Sequence, residues 1–527
     1  MRILFLYPNK IMVNRVPLGI CYLSSYLKKD GHQIKIFDTT FIKCSDIKSD
    51  DELRESSLQV RNPDFEKYEL VERDADVTDE LKCEVEAFRP DLIAMSVVDP
   101  NYNFGLELLK IIKKINKNLI TVVGGPTATY APDEVIKEDC IDIVCIGEGE
   151  EAMRDLCNKM QQGKDFKDTK NMWIKEDGKI FKNDIRQLLD VNEILPPDWD
   201  IFDHRHLIRP LGGKMYRMGI FSMTRGCVFR CEYCTNSALV KIYNNKGKYY
   251  RIKKPDLLVQ EIASYSEKYN LDYIFFTDDL FPLHKEEIMN DFSRLYKEHV
   301  GIPFNISLHP DLVKEEPFAK IVDAGCSNIC VGLESGSPKV RKELLKRNYK
   351  NDQIVNVFNL ARKYKIRSSS FNMIGIPYEN RRNIFETIEL NRKAKPTTAT
   401  LTFFHPYRGS ELRNLCIKEK YFDSSKEKEY ESVYRVESCL NLPHISKESL
   451  SGLFKTFQLY VKLPKILYSL IWIAEGDSFF AKIVFVALKQ YFYRIIDDES
   501  KWEFAKNIKR NTEDCRAQAD KVLVSKG

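Results

Sequence analysis

Ser222-Met223-Thr224-Arg225-Gly226-Cys227-Val228-Phe229-Arg230-Cys231-Glu232-Tyr233-Cys234 is the stretch around which the rest of this chain orders itself. It follows directly on an apolar run, Ile220–Met223, that has the composition of a strand. Cysteines separated by three and then two residues can converge from one loop, as short-spaced iron–sulfur ligands do. Three thiolates on a four-iron cube leave one iron without a protein ligand, and an open coordination position distinguishes a catalytic metal centre from a closed one. Gly226 permits the tight turn into the loop. Structural zinc is the competing ligand chemistry, but it requires four ligands. No fourth Cys or His stands within ten residues on either side.

Downstream, apolar runs alternate with helical patterns. Candidate strands are Ile220–Met223, Tyr273–Thr277, Phe304–Leu308, Asn328–Leu333, Ser368–Ile374 and Thr398–Phe404, and helices fill the gaps, as over Lys254–Lys268, Lys285–Lys297 and Asp352–Lys363. Six βα units predict a partial parallel barrel with its site at the carboxyl ends of the strands. The second strand ends in Thr277-Asp278-Asp279, and carboxylates there can accept charge-assisted hydrogen bonds; Asp279 could equally cap the next helix. The fourth ends in Glu334-Ser335-Gly336, and an acid closing an apolar strand is poorly explained by packing. The fifth ends in Gly375-Ile376-Pro377, where glycine lets a ligand approach the backbone.

Upstream, Ile3–Tyr7, Ile34–Asp38, Leu92–Val98, Ile120–Val123 and Ile143–Ile146 alternate with helical segments, a pattern that predicts a parallel sheet covered on both faces. Residues 41–88, polar and acidic, read as a helical insertion. Gly124, Gly125 and Thr127 follow the fourth strand, and Gly147 and Glu148 the fifth, at the edge where open parallel sheets bind ligands. No Gly-x-Gly-x-x-Gly turn follows the first strand, which disfavours a dinucleotide. A hairpin about Asp177-Gly178 and the linker Leu195-Pro196-Pro197 come next. The fold class is therefore α/β: a doubly wound, Rossmann-like domain over 1–165, a hairpin and Pro-rich linker over 166–212, a partial (β/α)6 barrel over 213–420, and a helical domain over 421–527.

The 527 residues are 43% hydrophobic and 30% charged with a net charge of +5, enough to build several cores and too little basic excess to indicate nucleic acid. Most of the 14 cysteines sit singly in apolar runs and serve as small hydrophobes. The N-terminal apolar run is too short for a signal peptide, so a reducing, cytoplasmic setting is expected. In the last hundred residues Phe454–Tyr468 and Phe479–Tyr493 carry apolar stripes interrupted by lysines. The longest uncharged run, Ile466–Ala474, falls well short of the ~20 residues a membrane span needs. These helices either cap the barrel or lie on a membrane surface, so peripheral membrane contact stays open.

The Cys227–Cys234 loop after the first strand of such a barrel resembles the radical S-adenosylmethionine superfamily, and the segment before it is similar to the cobalamin-binding domain that precedes many of these barrels. The resemblance implies a [4Fe-4S] cluster on Cys227, Cys231 and Cys234, S-adenosylmethionine on the open iron, its reductive cleavage to a 5′-deoxyadenosyl radical, and cobalamin. It further implies that Tyr233 packs near the adenine, a plain packing role being the alternative, and that Asp278 and Asp279 lie near the cofactor's ammonium group. Glu334 and Ser335 would contact its ribose or methionyl end, and Gly375 and Pro377 would pass close to the adenine. His405 is either catalytic or a satisfied structural histidine. Gly124, Gly125, Thr127, Gly147 and Glu148 would line the cobalamin. The chain has no Asp-x-His-x-x-Gly, and Thr127 stands where several relatives carry histidine. The expected activity is methylation of an unactivated carbon or phosphorus centre in a small or lipid-like substrate, with flavodoxin or ferredoxin as one-electron reductant. The alternatives are a non-methylating cyclase or oxidative enzyme, and a non-catalytic cobalamin or iron–sulfur sensor.

Overall fold

The computed structural model describes residues 1–10, 12–13, 15–44, 48–431 and 437–500. The first sheet comprises β1 (Arg2–Tyr7), β2 (Gln33–Asp38), β3 (Leu92–Ser96), β4 (Ile120–Gly124), β5 (Ile143–Cys145), β6 (Met172–Glu176) and β7 (Lys179–Lys182), in the order β2-β1-β3-β4-β5-β6-β7. Its first five strands are parallel. Alternate side chains leave a strand on opposite faces, and here both faces are apolar. Ile3 and Phe5 share a core with Ile20 and Leu27 of the helix Leu18–Lys29 and with Ala152 and Leu156 of Glu150–Gln161. Leu4 and Leu6 pack instead with Leu81 and Val85 of Val77–Phe88 and with Leu109 and Ile112 of Tyr102–Ile115. Each fully buried Leu or Ile contributes roughly 1.5–3 kcal/mol, so two helical layers are held against one sheet.

The hairpin expected between the domains extends this sheet, because β6 pairs antiparallel with β5. Asp177 and Gly178 both take positive φ, 47° and 74°, as a two-residue hairpin turn demands.

The second sheet comprises β8 (Ile208–Leu211), β9 (Lys214–Phe221), β12 (Tyr273–Phe276), β13 (Phe304–Leu308), β14 (Cys326–Glu334), β15 (Arg367–Ile374) and β16 (Thr398–Phe403), in the order β16-β15-β14-β13-β12-β9-β8. The six parallel strands expected from sequence stand in chain order. β8, which sequence did not indicate, adds an antiparallel strand at one edge. A two-stranded clasp, β10 (Thr224–Arg225) with β11 (Arg251–Ile252), brackets the cysteine loop.

The insertion over 41–88 contains the helices Asp50–Ser56 and Val77–Phe88, each started by a side-chain cap, Ser49 and Asp76. Its Gln59 accepts a hydrogen bond from the Leu401 amide on the edge strand β16 at 2.9 Å, so the insertion helps to cover that edge, as does Gln458, which donates to the Ala399 carbonyl. Beyond the barrel, Leu453, Phe457 and Tyr460 of the helix Lys447–Lys462 pack with Leu401 and Phe403. The stripe expected over Phe454–Tyr468 is interrupted at Pro464, where the missing N–H ends the helix. Two further helices follow, Tyr468–Ala474 and Phe479–Ser500. Of the expected helical domain, residues 432–436 and 501–527 lie outside the described residues.

Candidate active site between the two sheets

The cysteine loop leaves the carboxyl end of β9 and is anchored before the first cysteine. The Thr224 amide and hydroxyl both donate to Asp278 Oδ1, at 2.5 and 2.7 Å. Gly226 sits at φ +84°, and a Cβ there would lie 2.6 Å from the Tyr249 carbonyl, so only glycine fits. Cys234 closes a turn on the Cys231 carbonyl at 3.0 Å, and its Sγ accepts from Asn236 at 3.7 Å. Burial pushes the thiols up, Cys227 to about 11, Cys231 to about 12, and Cys234 in the same direction. Cys227 and Cys231 both feel Cys234 electrostatically, and Arg347 is the nearby cation that opposes the shift at all three. Thiolates this buried form only against a positively charged occupant, and metal binding supplies one while releasing the protons. Among the described residues no three Cys, His, Asp or Glu side chains converge on a point that suits a single metal ion. A cube that gives each thiolate its own iron does not require such convergence. The donor set therefore fits an iron–sulfur cube.

The two aspartates after β12 face different ways. Asp278 is buried on Thr224, its pKa pushed up to about 7 by burial, and its Oδ2 has no partner among the described residues. It holds the loop rather than lining open space. Asp279 keeps solvent access, takes a hydrogen bond from Asn236, and lies within electrostatic reach of Cys227 and Cys234. Burial by the surrounding walls nonetheless raises its pKa.

Glu334 ends β14 in a left-handed conformation, φ +63°, which turns its carboxylate back beneath the loop. The Tyr233 hydroxyl donates to Glu334 Oε1 at 2.9 Å, and Arg347 Nη1 reaches the Tyr233 oxygen at 2.6 Å and Glu334 Oε1 at 3.1 Å. Tyr233 and Glu334, expected to contact the cofactor separately, thus form one buried hydrogen-bonded unit with Arg347, a residue that sequence did not single out. Ser335 is fully buried beneath the site, its carbonyl accepting from Arg341 at 2.6 Å and its hydroxyl facing Thr387 at 3.5 Å. Gly375 takes φ +76° just before Ile376 and Pro377. The Gly375 and Ile376 amides donate to Glu379 Oε2 at 2.8 and 3.3 Å. Glu379 was likewise missed: it is wholly buried, with its pKa pushed up to about 8 by burial. His405 is half-buried beside Cys439, Nδ1 to Sγ 3.8 Å, and desolvation takes its pKa down to about 4, so it is neutral at physiological pH.

Across from the loop, a cavity of about 350 Å³ opens between the carboxyl edge of the first sheet and the ends of β9 and β12. Gly124, Gly125, Gly147 and Glu148 line it, with Arg225 and Thr277 from the barrel side. Thr127 does not: it is buried, and its hydroxyl donates to Asp99 Oδ1 at 2.9 Å, beside the Asp99–Arg408 ion pair. Two glycines answer to the protein itself. At Gly125 a Cβ would lie 2.8 Å from the Val97 carbonyl, and at Gly147 it would overlap the hydroxyl of Tyr243 from the barrel. That hydroxyl receives the Glu148 amide at 2.5 Å. The Glu148 carboxylate pairs with Arg225 at 3.1 Å and Arg251 at 2.5 Å, while Glu150 pairs with Arg225 at 2.6 Å. The arginines hold the Glu148 carboxyl below its usual range despite its burial. A half-open recess with glycine backbone at strand ends fits one end of a corrinoid, walled on its far side by the segment that leads into Cys227.

The comparisons with known proteins agree with this division. Residues 221–390 match the model of the radical SAM superfamily, and residues 13–157 that of the B12 binding domain. An uncharacterized methyltransferase of Pyrococcus horikoshii is 25% identical over 501 residues, 93% of this chain and 98% of that protein. Cytidylyl-2-hydroxyethylphosphonate methyltransferase of Streptomyces wedmorensis is 23% identical, covering 81% of this chain and 82% of its own. Among solved structures, the cobalamin-dependent S-adenosylmethionine radical enzyme OxsB aligns with a TM-score of 0.62 at 14% identity over 94% of this chain and 71% of that one. The radical S-adenosylmethionine methyltransferase TsrM of Kitasatospora setae, with cobalamin and a [4Fe-4S] cluster bound, aligns with a TM-score of 0.58 at 16% identity over 79% and 75%. These two share the fold. Both halves of the site and both family matches lead to one assignment: the chain belongs to the radical S-adenosylmethionine superfamily, in the group with an N-terminal cobalamin-binding domain, and its cofactors are a [4Fe-4S] cluster, S-adenosylmethionine and cobalamin.

Proposed function

We propose that this enzyme methylates an unactivated carbon or phosphorus centre of a small molecule. The observation that carries the reading is the seating of Arg225: it lines the cavity of the first domain and stands two residues before Cys227. When bound, the cofactors supply an electron that cleaves the sulfonium bond, a radical able to abstract hydrogen, and a methyl carrier. The chain's own work is placement. Cys227, Cys231 and Cys234 hold the cube, and the Thr224–Asp278 clamp fixes their loop. Asp279, with solvent access beside the loop, accepts from the ammonium group of S-adenosylmethionine, while Gly375 and Pro377 bring backbone to the adenine. Arg347 orients Glu334 and Tyr233 as one unit toward the ribose or methionyl end. The domain interface about Glu148 and Tyr243 excludes water between the two cofactor sites. A flavodoxin- or ferredoxin-type protein is the external reductant in this reading.

Two of the named relatives support methyl transfer, one of them a methyltransferase of a cytidylyl phosphonate. A similar protein is named for another chemistry: an anaerobic magnesium-protoporphyrin IX monomethyl ester cyclase of Rubrivivax gelatinosus, 23% identical over 81% of this chain. Anaerobically reconstituted enzyme with deuteromethyl S-adenosylmethionine separates the two. Methylation predicts S-adenosylhomocysteine and 5′-deoxyadenosine in comparable amounts with label in the product; 5′-deoxyadenosine alone would overturn it in favour of a cyclase.

A further inference from the structure

Every large apolar side chain that is more than half exposed among the described residues falls in one short segment: Ile466 (89%), Trp472 (64%), Phe479 (81%), Phe480 (62%), Ile483 (51%) and Val486 (51%). Such concentrations on a folded surface mark interaction sites. The segment is well anchored from behind. Ile471, Ala474, Ala481, Leu488 and Phe492 of the same two helices are buried, and Ile471, Leu488 and Phe492 join the core that includes β16. The helix beginning at Phe479 thus has one face in the core and, near its start, a second cluster of large apolar side chains in water.

We propose that this second face docks onto an anionic lipid bilayer. Shape argues for a membrane over a protein groove. Trp472, Phe479 and Phe480 flank the turn between the helices Tyr468–Ala474 and Phe479–Ser500, and at such exposures they project from it as the tip of a hairpin. Projecting aromatic and aliphatic side chains enter the headgroup boundary of a bilayer without needing a matching concavity. Charge argues the same way. Between residues 462 and 494 stand Lys462, Lys465, Lys482, Lys489 and Arg494 against Glu475 and Asp477. Glu475 is turned inward, pairing with Arg381 and accepting from the Tyr460 hydroxyl at 2.6 Å. Lys465, which also reaches Glu389 at 2.8 Å, and Lys482 are exposed beside Ile466 and Ile483, so a basic rim borders the apolar tip and complements anionic headgroups. No helix among the described residues is long and apolar enough to cross a membrane, so the contact is with the surface.

Flotation of the full-length holoenzyme with vesicles of equal parts phosphatidylglycerol and phosphatidylethanolamine, and with phosphatidylcholine vesicles, tests this directly. The protein should float with the anionic vesicles and several-fold less with the neutral ones, and about 0.5 M salt should weaken the anionic binding. Brominated acyl chains should quench the emission of Trp472. The triple variant Trp472→Ser/Phe479→Ser/Phe480→Ser should lose roughly tenfold or more in vesicle affinity while keeping its iron content and 5′-deoxyadenosine formation. Lys465→Glu/Lys482→Glu should abolish the preference for anionic lipid. Wild-type protein that stays in the soluble fraction with every vesicle, or a serine variant that floats as well as wild type, overturns the proposal. So does a wild-type dimer in sedimentation velocity that the serine variant converts to monomer without any vesicle binding, since a second copy would then cover the face.

Discussion

Arg347, which sequence did not mark out, ties together three parts of the site. Its guanidinium is buried, it satisfies the Tyr233 oxygen and Glu334 together, and Nη2 also reaches the Gly332 carbonyl at 3.2 Å. Removing one partner of a buried pair leaves the other charge uncompensated, at a cost of about 3–5 kcal/mol. Arg347→Met should therefore lower the unfolding free energy by that order in urea titrations and cut S-adenosylmethionine cleavage, with Arg347→Lys intermediate in both. Glu379 gives a pH-dependent counterpart. Its carboxyl titrates near 8 in the folded chain and near the ordinary value of about 4.3 in the unfolded one. The folded state therefore holds the proton more tightly, so this stabilisation is complete below about pH 4 and disappears as the pH rises through 8. Glu379→Gln, which keeps an oxygen for the Gly375 and Ile376 amides, should flatten the fall in melting temperature between pH 5 and 8 that wild type shows. An unchanged slope would remove Glu379 as its source.

At the level of elements, what sequence made legible was the framework. Near-continuous apolar runs such as Ile120–Val123 and Asn328–Leu333 can only be strands buried on both faces, and the cysteine spacing places the loop at the end of one of them. Contacts that depend on the fold bringing distant residues together left no such trace. Tyr243 has no distinguishing neighbours in sequence, yet its hydroxyl occupies the place where a Gly147 side chain would be. Gly147 and Gly125 line the cavity, and a barrel side chain or the Val97 backbone stands where their Cβ atoms would be; Thr127 lies outside that lining and turns to Asp99, a tertiary partner invisible in the chain order. Gly147→Ala, which meets both positive φ and the Tyr243 hydroxyl, should loosen the domain contact. Cobalt retained per chain should fall several-fold while iron per chain stays unchanged, and equal losses of both would mean general misfolding instead.

Among the described residues, two mainly parallel sheets present the carboxyl ends of their strands to one another across an interface of opposite charges. Arg225 and Arg251 meet Glu148 and Glu150 there, and the cavity of the first domain borders the same seam. Arg225→Met would strip Glu150 of its ion-pair partner and leave Glu148 to Arg251 alone at this seam. It should reduce cobalamin affinity and raise the ratio of 5′-deoxyadenosine to methylated product, as measured by single-turnover product analysis, because a loosened seam uncouples radical formation from methyl transfer.

The most direct measurement replaces Cys227, Cys231 and Cys234 together by alanine and compares that protein with wild type after anaerobic reconstitution, counting iron and cobalt and assaying 5′-deoxyadenosine under strong reductant. The wild-type chain should carry about four irons and form the nucleoside, the variant should do neither, and both should retain cobalamin. A variant that still forms 5′-deoxyadenosine, or a wild-type chain that takes tightly bound zinc in place of iron, would contradict the assignment of the cluster to these thiolates.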